Sequence, residues 1–145
     1  MPENLNHSLT ILLAEDDIDD QELLQEALFS IAPTVRLISF SSGIKFINQL
    51  ENVDAAGIPQ LIVLDYNIPE LNGAEILQRL NTIERFNEIV KIIWSTSDSP
   101  LYRRNCLALG AKDYLLKPSS IAGMKEVAQK MLAFCKEDLN KNNSD

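Results

Sequence analysis

Residues 61–69 are Leu-Ile-Val-Leu-Asp-Tyr-Asn-Ile-Pro, and this stretch decides the fold that we predict. Four apolar residues end on the carboxylate of Asp65, and Pro59 and Pro69 stand on either side. A short apolar run between prolines is typical of a strand buried on both faces, although a buried helix segment can look the same. Asp65 would then lie at the carboxyl end of a central strand, where open α/β sheets bind ligands. In isolation Asp65 is better explained as the start of a turn, so the rest of the chain must decide.

Length and composition limit the possible functions. At 145 residues and 46% hydrophobic content, the chain is long enough for one domain with a substantial core. A formal net charge of −8 argues against nucleic acid as a partner, because phosphate backbones bind basic surfaces. No apolar run is as long as a membrane span, and residues 1–8 lack the features of a signal peptide, so we expect a cytoplasmic protein without membrane contact. Cys106 and Cys135 show no CxxC pairing, which predicts buried or half-buried free thiols.

Short apolar runs alternate with helical spacing of apolar residues along the whole chain. This alternation predicts a parallel sheet with helices on both faces. Polar residues Arg36 and Ser39 interrupt the second run, which favours an edge position for that strand. The predicted strands are 11–14, 35–40, 61–64, 89–94 and 113–116, and polar connections are predicted at 52–57 and 81–88.

The helices between these strands have recognisable boundary residues. Asp19, with Glu22 three residues later, predicts the start of the first helix. Ser42 and Ser99 are the predicted N-caps of the second and fourth helices. Gly110 is the predicted C-terminal stop of the fourth helix.

Chemically active side chains follow four of the five predicted strands. Because the carboxyl ends of parallel strands lie at one edge of the sheet, we expect these side chains to converge. Each of them alone would usually be a solvated loop, capping or surface residue, but their joint occurrence at successive strand ends favours a functional site. The converging residues are Glu15, Asp16 and Asp17, then Asp65, then Ser95 and Thr96, and finally Lys117.

This set of side chains has a specific chemical use. Clustered carboxylates need neutralisation, and oxygen-only ligands suit Mg²⁺, which also contacts phosphate oxygens. A carboxylate can act as a nucleophile and become an aspartyl phosphate. A metal ion and a lysine then offset the charge of the transferred phosphoryl group.

With these residues in place, the chain resembles the receiver domain of two-component response regulators, over roughly residues 10–134. The matching features are the Glu15-Asp16 pair, Asp65, Ser95 and Lys117-Pro118. Thirty residues separate Asp65 from Ser95 and 52 separate it from Lys117, as in the family. The resemblance implies a flavodoxin-like, doubly wound (βα)5 three-layer sandwich. The strand order 2-1-3-4-5 is taken over from the chemotaxis member of the family.

The resemblance also implies a phosphoacceptor and a metal site. Asp65 is the expected phosphoacceptor. Asp16 and Asp65 are the expected side-chain ligands of Mg²⁺, with the Asn67 backbone carbonyl as a third ligand and Glu15 acting through water. Asp17 extends the acidic run, so it is an alternative to Asp16.

The remaining site residues follow from the same resemblance. Lys117 is expected to pair with phosphoryl oxygens and the Ser95 hydroxyl to bind one of them, with Thr96 as the one-residue alternative. Tyr114 matches the aromatic switch position, although it can equally be a half-buried strand residue. The bond before Pro118 is the family's usual site of a cis peptide.

The function implied is that of a single-domain response regulator. It would accept a phosphoryl group from a sensor histidine kinase or a histidine phosphotransfer protein and then bind a downstream protein through an altered surface, without being an enzyme beyond self-dephosphorylation. The expected receiver domain covers residues 10–139, between a flexible segment 1–9 and a disordered tail 140–145. A homodimer is possible through the last strands and helices. The likeness extends to the stand-alone receivers paired with bacterial phytochrome-type kinases.

Two other functions compete with this one. A phosphohydrolase with an aspartate nucleophile usually has a second aspartate two residues later, and here that residue is Asn67. A constitutive binding module would require the loss of a key site residue, and none is missing. A serine or cysteine hydrolase is hard to build, because His7, the only histidine, lies in the N-terminal segment.

Overall fold

The apolar runs of the sequence form five parallel strands, each followed by a helix. The computed structural model describes residues 9–51 and 58–142, the last six by backbone alone. A short 3-10 helix, Glu84–Phe86, precedes the fourth strand. The elements are β1 (Thr10–Ala14), α1 (Ile18–Ile31), β2 (Arg36–Phe40), α2 (Gly43–Glu51), β3 (Leu61–Asp65), α3 (Gly73–Leu80), β4 (Val90–Ser95), α4 (Pro100–Ala108), β5 (Asp113–Leu116) and α5 (Ile121–Asn142).

The strand order is 2-1-3-4-5 with every pairing parallel, which confirms the predicted flavodoxin-like (βα)5 fold. β3 is central and all five of its residues are buried, as the uninterrupted apolar run predicted. β2 lies at one edge and is only partly buried, which confirms its predicted position. Asp65 and Trp94 are register partners, so the ends of β3 and β4 lie side by side.

Two apolar layers fill the space between the sheet and its helices. Alternate residues of a strand point to opposite faces, so Ile92 and Trp94 of β4 join one layer while Ile93 joins the other. The first layer packs against α1 and α5, and the second packs against α2, α3 and α4. Cys106 and Cys135 form no disulfide and both are buried, one in each layer, as predicted.

The predicted boundaries of α4 agree with the structure, but the predicted start of α1 does not. Ser99 caps α4, and Gly110 follows its end with a φ of 107°, as predicted. The prediction that Asp19 starts α1 is wrong, because Asp17 is the N-cap and its carboxylate accepts a hydrogen bond from the Asp20 amide. Asp19 and Glu22 have the spacing of a capping pair, but Asp17 is the residue whose extended backbone places its carboxylate over the free amides of the first turn.

The predicted loop 52–57 and residues 1–8 and 143–145 lie outside the described residues. Helix α5 continues to Asn142, beyond the predicted start of the tail. Within the described ranges, no helix combines the length and apolarity needed to cross a membrane.

Candidate functional site

The carboxyl ends of β1, β3, β4 and β5 bring the predicted side chains together at one edge of the sheet. Glu15 follows β1 and is fully buried, and its amide donates to the Phe40 carbonyl at 2.9 Å. Asp65 ends β3 and is 6% exposed, and Ser95 ends β4 and is fully buried. Lys117 follows β5, and its amide donates to the Ser95 carbonyl at 2.8 Å. The strand ends therefore fix the backbone of each of these residues.

Lys117 contacts three carboxylates at this edge of the sheet. Its Nζ lies 2.6 Å from Glu15 Oε1, 2.9 Å from Asp65 Oδ2 and 2.9 Å from Asp20 Oδ2. The Lys117 side chain is 8% exposed, and burial alone would lower its pKa. The contacts with the three carboxylates outweigh that effect and raise the pKa of Lys117 above its ordinary value. Lys117 is therefore a permanently charged ammonium group beside Asp65.

The acidic side chains form a group suited to a cation. Oxygen atoms of Glu15, Asp16 and Asp65 lie within 4.8 Å of one another. Burial raises the pKa of Glu15 to about 7, with the charge of Asp65 adding to the effect and Lys117 opposing it. Glu15 Oε1 is buried without a hydrogen bond, although it is ion-paired with Lys117. These three carboxylates therefore offer the oxygen ligands that a divalent cation such as Mg²⁺ prefers.

Asp16 and Asp17 are the two residues that the sequence left open as metal ligands, and they have different surroundings. Asp16 belongs to the acidic group, whereas the Asp17 carboxylate is used to cap α1. The Asn67 amide donates to Asp65 Oδ1 at 3.0 Å, so the backbone after β3 folds tightly around the carboxylate. Asp16 and the Asn67 segment are thus positioned beside Asp65, while Asp17 has a structural role.

Ser95 and Thr96 have different surroundings. Ser95 is the last residue of β4, and its hydroxyl oxygen accepts a hydrogen bond from the Ser97 amide at 3.1 Å. Thr96 follows the strand and is exposed. Ser95 is consequently the hydroxyl held at the sheet edge.

Tyr114 links β5 to the loop after β4. Its ring is 1% exposed, and its hydroxyl donates to the Ser97 carbonyl at 2.7 Å. The guanidinium of Arg103 on α4 lies 5.1 Å from the ring centroid. Tyr114 thus contacts both the loop that carries Ser97 and the helix that follows it, and its ring faces inward.

Trp94 lies beneath the lysine. It is fully buried, and the Lys117 Nζ is 5.0 Å from its ring centroid. Its indole Nε1 has no hydrogen-bond partner among the described residues. A change in the charge or position of Lys117 would therefore act directly on the only tryptophan of the chain.

Two features differ from the expectations of the sequence. No cis peptide bond occurs in the described residues, so the bond between Lys117 and Pro118 is trans and the predicted cis bond is wrong. Trans is the lower-energy isomer for a bond before proline unless the fold imposes cis. The sequence also missed Asp20, the third carboxylate on Lys117. No local signal separates Asp20 from Asp19, because both stand in the first turn of α1.

The fold is a parallel (βα)5 sandwich, and an acidic group with a lysine lies at the carboxyl edge of its sheet. These two features define a receiver-type protein. The family model described as response regulator receiver domain matches residues 11–129. The chain belongs to this family.

Curated relatives agree with this assignment. Two-component response regulator ORR3 of Oryza sativa is 31% identical over 108 residues, covering 74% of this chain and 79% of that protein. Protein-glutamate methylesterase/protein-glutamine glutaminase 1 of Methanospirillum hungatei is 28% identical over 120 residues, covering 82% of this chain. The chain spans only 34% of that second protein, so the match is to one part of it.

Solved structures of response regulators have the same fold. The Mn²⁺-bound form of response regulator Rcp1 is 26% identical with a TM-score of 0.76, covering 87% of this chain and 93% of that one. A response regulator in red light signaling of R. palustris is 28% identical with a TM-score of 0.75, covering 87% and 92%. The phosphorylated cyanobacterial phytochrome response regulator RcpA has a TM-score of 0.80 at 24% identity, covering 88% and 94%.

Proposed function

We propose that this chain is a phosphoacceptor switch that takes a phosphoryl group onto Asp65 from a phosphohistidine of a sensor kinase or phosphotransfer protein. The contact that carries the proposal is the one between Lys117 Nζ and Asp65 Oδ2, at 2.9 Å, beside an acidic group suited to a divalent cation. In the transfer, the phosphorus–nitrogen bond to histidine breaks and a phosphorus–oxygen bond to Asp65 forms. Apart from hydrolysis of its own aspartyl phosphate, the chain is not an enzyme.

The residues around Asp65 have distinct roles in this reaction. The Lys117 ammonium is charged and already in contact with the carboxylate, so it can pair with the added phosphoryl oxygens without a costly reorganisation. Glu15 and Asp16, with Asp65 and the Asn67 segment, would hold Mg²⁺. When bound, Mg²⁺ neutralises negative charge on the phosphoryl oxygens.

The proposed switch runs from Ser95 to Tyr114. A phosphoryl group on Asp65 offers an acceptor for the Ser95 hydroxyl, and a movement of Ser95 pulls on the loop that its oxygen holds through the Ser97 amide. Tyr114 is hydrogen-bonded to the carbonyl of the same loop residue and packs under Arg103 of α4. The loop, Tyr114 and α4 would therefore respond together, and a downstream protein or a second copy of the chain would bind this altered surface.

The proposed phosphodonor surface lies on α1 and α5. Ile18 on α1 and Ile121 on α5 are 64% and 73% exposed, and Leu23 is 42% exposed. Leu23 and Ile121 also line a groove of about 130 Å³ between α1 and α5, together with Glu26, Ala27, Met124 and Lys125. An exposed apolar surface on these two helices suits a partner helix that carries a phosphohistidine. A cytoplasmic kinase of the phytochrome type is the first donor to test.

The test is intact-mass measurement after incubation with acetyl phosphate and Mg²⁺. We expect one phosphoryl adduct on the wild type, no adduct on Asp65→Asn, and an unchanged adduct on Asp98→Asn, whose carboxylate is exposed in the loop before α4. Beryllofluoride, a phosphoryl mimic, should change Trp94 fluorescence only with Mg²⁺ present. The absence of both an adduct and a fluorescence response in the wild type would refute the switch and favour a constitutive protein-binding module.

A further inference from the structure

The third carboxylate on Lys117 belongs to Asp20, in the first turn of α1. Asp20 Oδ2 lies 2.9 Å from the same nitrogen that contacts Asp65 at 2.9 Å. The Asp20 side chain is 27% exposed, whereas those of Glu15 and Asp65 are 1% and 8% exposed. Asp20 is therefore the most solvated of the three partners of Lys117.

Helix capping alone does not explain this contact. The Asp20 amide is bound by the Asp17 carboxylate at 3.1 Å, which fixes the backbone of the first turn. An acidic residue there is favourable near the positive end of the helix in any side-chain orientation. Asp19 shares that turn and is exposed. Asp20 instead reaches across to a lysine 97 residues later in the chain.

Lys117 does not need Asp20 to stay in place. Glu15 and Asp65 hold the ammonium at 2.6 and 2.9 Å and are nearly inaccessible to solvent. A phosphoryl group on Asp65 would bring more negative charge to the same ammonium, which would then have to share its donors between the phosphoryl oxygens and Asp20. Releasing the partly solvated Asp20 costs least, because water can replace its hydrogen bond.

We propose that Asp20 is a positioning residue that competes with the phosphoryl group for Lys117 and thereby shortens the lifetime of the phosphorylated state. The proposal rests on the proposed function of Asp65. In the hydrolysis that ends this state, water attacks phosphorus and the bond from phosphorus to the Asp65 oxygen breaks, which restores the Asp65 carboxylate. Inorganic phosphate leaves as H₂PO₄⁻, which carries the oxygen and both protons of the water. A negative charge at Asp20 draws Lys117 away from the phosphoryl oxygens and also repels them.

The test compares Asp20→Asn with Asp19→Asn, which removes the same charge from the neighbouring residue of the same helical turn. Asp20→Asn should bind beryllofluoride about five-fold more tightly in Mg²⁺, because an ionic hydrogen bond that competes for Lys117 becomes a neutral one. The lifetime of the phosphoryl adduct, followed by intact mass, should lengthen by a similar factor. Asp19→Asn should change both quantities less than two-fold, as expected for an exposed charge at ordinary ionic strength.

Each outcome decides the matter. If Asp20→Asn and Asp19→Asn behave alike, or if Asp20→Asn binds beryllofluoride more weakly and loses its phosphoryl group faster, Asp20 does not compete for Lys117. If the wild type forms no adduct and does not respond to beryllofluoride, the proposed function fails and the competition fails with it. Urea denaturation of all three proteins shows whether a changed lifetime merely reflects a loss of stability, which we do not expect because Asp17 caps the helix.

Discussion

At the scale of single residues, Lys91 is the buried lysine that the candidate site does not use. It is the second residue of β4 and is 5% exposed, and no described side chain forms an ion pair or hydrogen bond with its ammonium group. Burial lowers the pKa of Lys91, and the charge of Glu88 only partly opposes this effect. The charged form of Lys91 is therefore less favourable in the folded chain than in the unfolded one.

Replacement of this lysine should stabilise the protein in a pH-dependent way. The pKa of Lys91 in the folded state lies below its ordinary value of 10.5. The charge of Lys91 therefore lowers the free energy of unfolding in full at a pH below the lowered pKa. This loss disappears as the pH rises toward 10.5. Lys91→Met should raise the free energy of unfolding by about 1 kcal/mol at pH 7 and by less at pH 10. Urea denaturation at both values, with the exposed Lys112→Met as control, measures the difference. A loss of stability at pH 7 would contradict this account.

The sequence identified Asp65 and Lys117 but not Asp20, because the contact of Asp20 joins residues that are distant in the chain. An apolar run that ends on a polar residue marks the end of a strand, so the neighbours of Asp65 followed from the parallel sheet. Asp19 and Asp20 both stand in the first turn of α1 and have the same local pattern. The packing of α1 against α5 decides which carboxylate reaches Lys117, and no short stretch of sequence contains that information.

At the scale of elements, the end of α4 shows how one glycine closes a helix. The Ala111 amide donates to the Cys106 carbonyl at 3.0 Å and the Gly110 amide to the Leu107 carbonyl at 3.1 Å. These two bonds form the glycine-dependent Schellman motif. Gly110 can supply them because its φ is 107°, a region that side chains with a β-carbon rarely adopt.

Gly110→Ala should therefore lower the free energy of unfolding by about 1–2 kcal/mol. A β-carbon at Gly110 would have open space, with the Asn81 Oδ1 atom at 3.6 Å as its nearest neighbour, so the cost is one of backbone conformation. Gly110→Asn should lose less, since asparagine tolerates a positive φ better than alanine. Urea denaturation of the two variants tests the ordering, and equal stability of Gly110→Ala and the wild type would show that the backbone is not strained there.

Other element boundaries depend on contacts that are distant in sequence. Arg85 Nη2 donates to the Leu50 and Glu51 carbonyls at 3.0 and 3.1 Å, so it binds the last turn of α2 from the region before β4. The sequence showed the polar segment 81–88 but gave no sign of this contact. By comparison, the capping box of α3, in which Asn72 and Glu75 each bind the other's backbone amide, is local and was present in the sequence.

At the scale of the whole molecule, negative charge collects at one edge of the sheet in a chain of net charge −8. A divalent cation that binds the folded acidic group but not the unfolded chain must stabilise the fold. At a hundred times its dissociation constant, Mg²⁺ should add about 2.7 kcal/mol to the free energy of unfolding. Thermal melts in MgCl₂ and in NaCl of equal ionic strength separate binding from screening.

Two substitutions test whether Mg²⁺ stabilises the fold by binding the acidic group. Asp16→Asn should lose most of the effect of Mg²⁺, while Asp98→Asn should keep it, because Asp16 belongs to the acidic group and Asp98 is exposed elsewhere. Equal shifts in MgCl₂ and NaCl would mean that the ion only screens charge.

The overall topology was predictable only in part. Alternating strands and helices require a parallel sheet covered on both faces, and the structure has one. Alternation alone does not choose among the possible orders of five parallel strands, and the order 2-1-3-4-5 came from the family resemblance. The carboxyl-edge site was nevertheless predictable, because four of the strand ends carry its residues in any of these orders.

The burial of both cysteines has a practical consequence for fluorescence labelling. Thiolates react with maleimides and thiols do not, and burial raises the pKa of Cys106 to about 11. Cys135 is fully covered as well, and the chain has no other cysteine. A cysteine introduced at Leu101, which is 54% exposed on α4, would be the one thiol that a dye reaches in the native protein. The chain can thus carry a single fluorophore on a helix next to the Ser95 loop without prior removal of its natural cysteines.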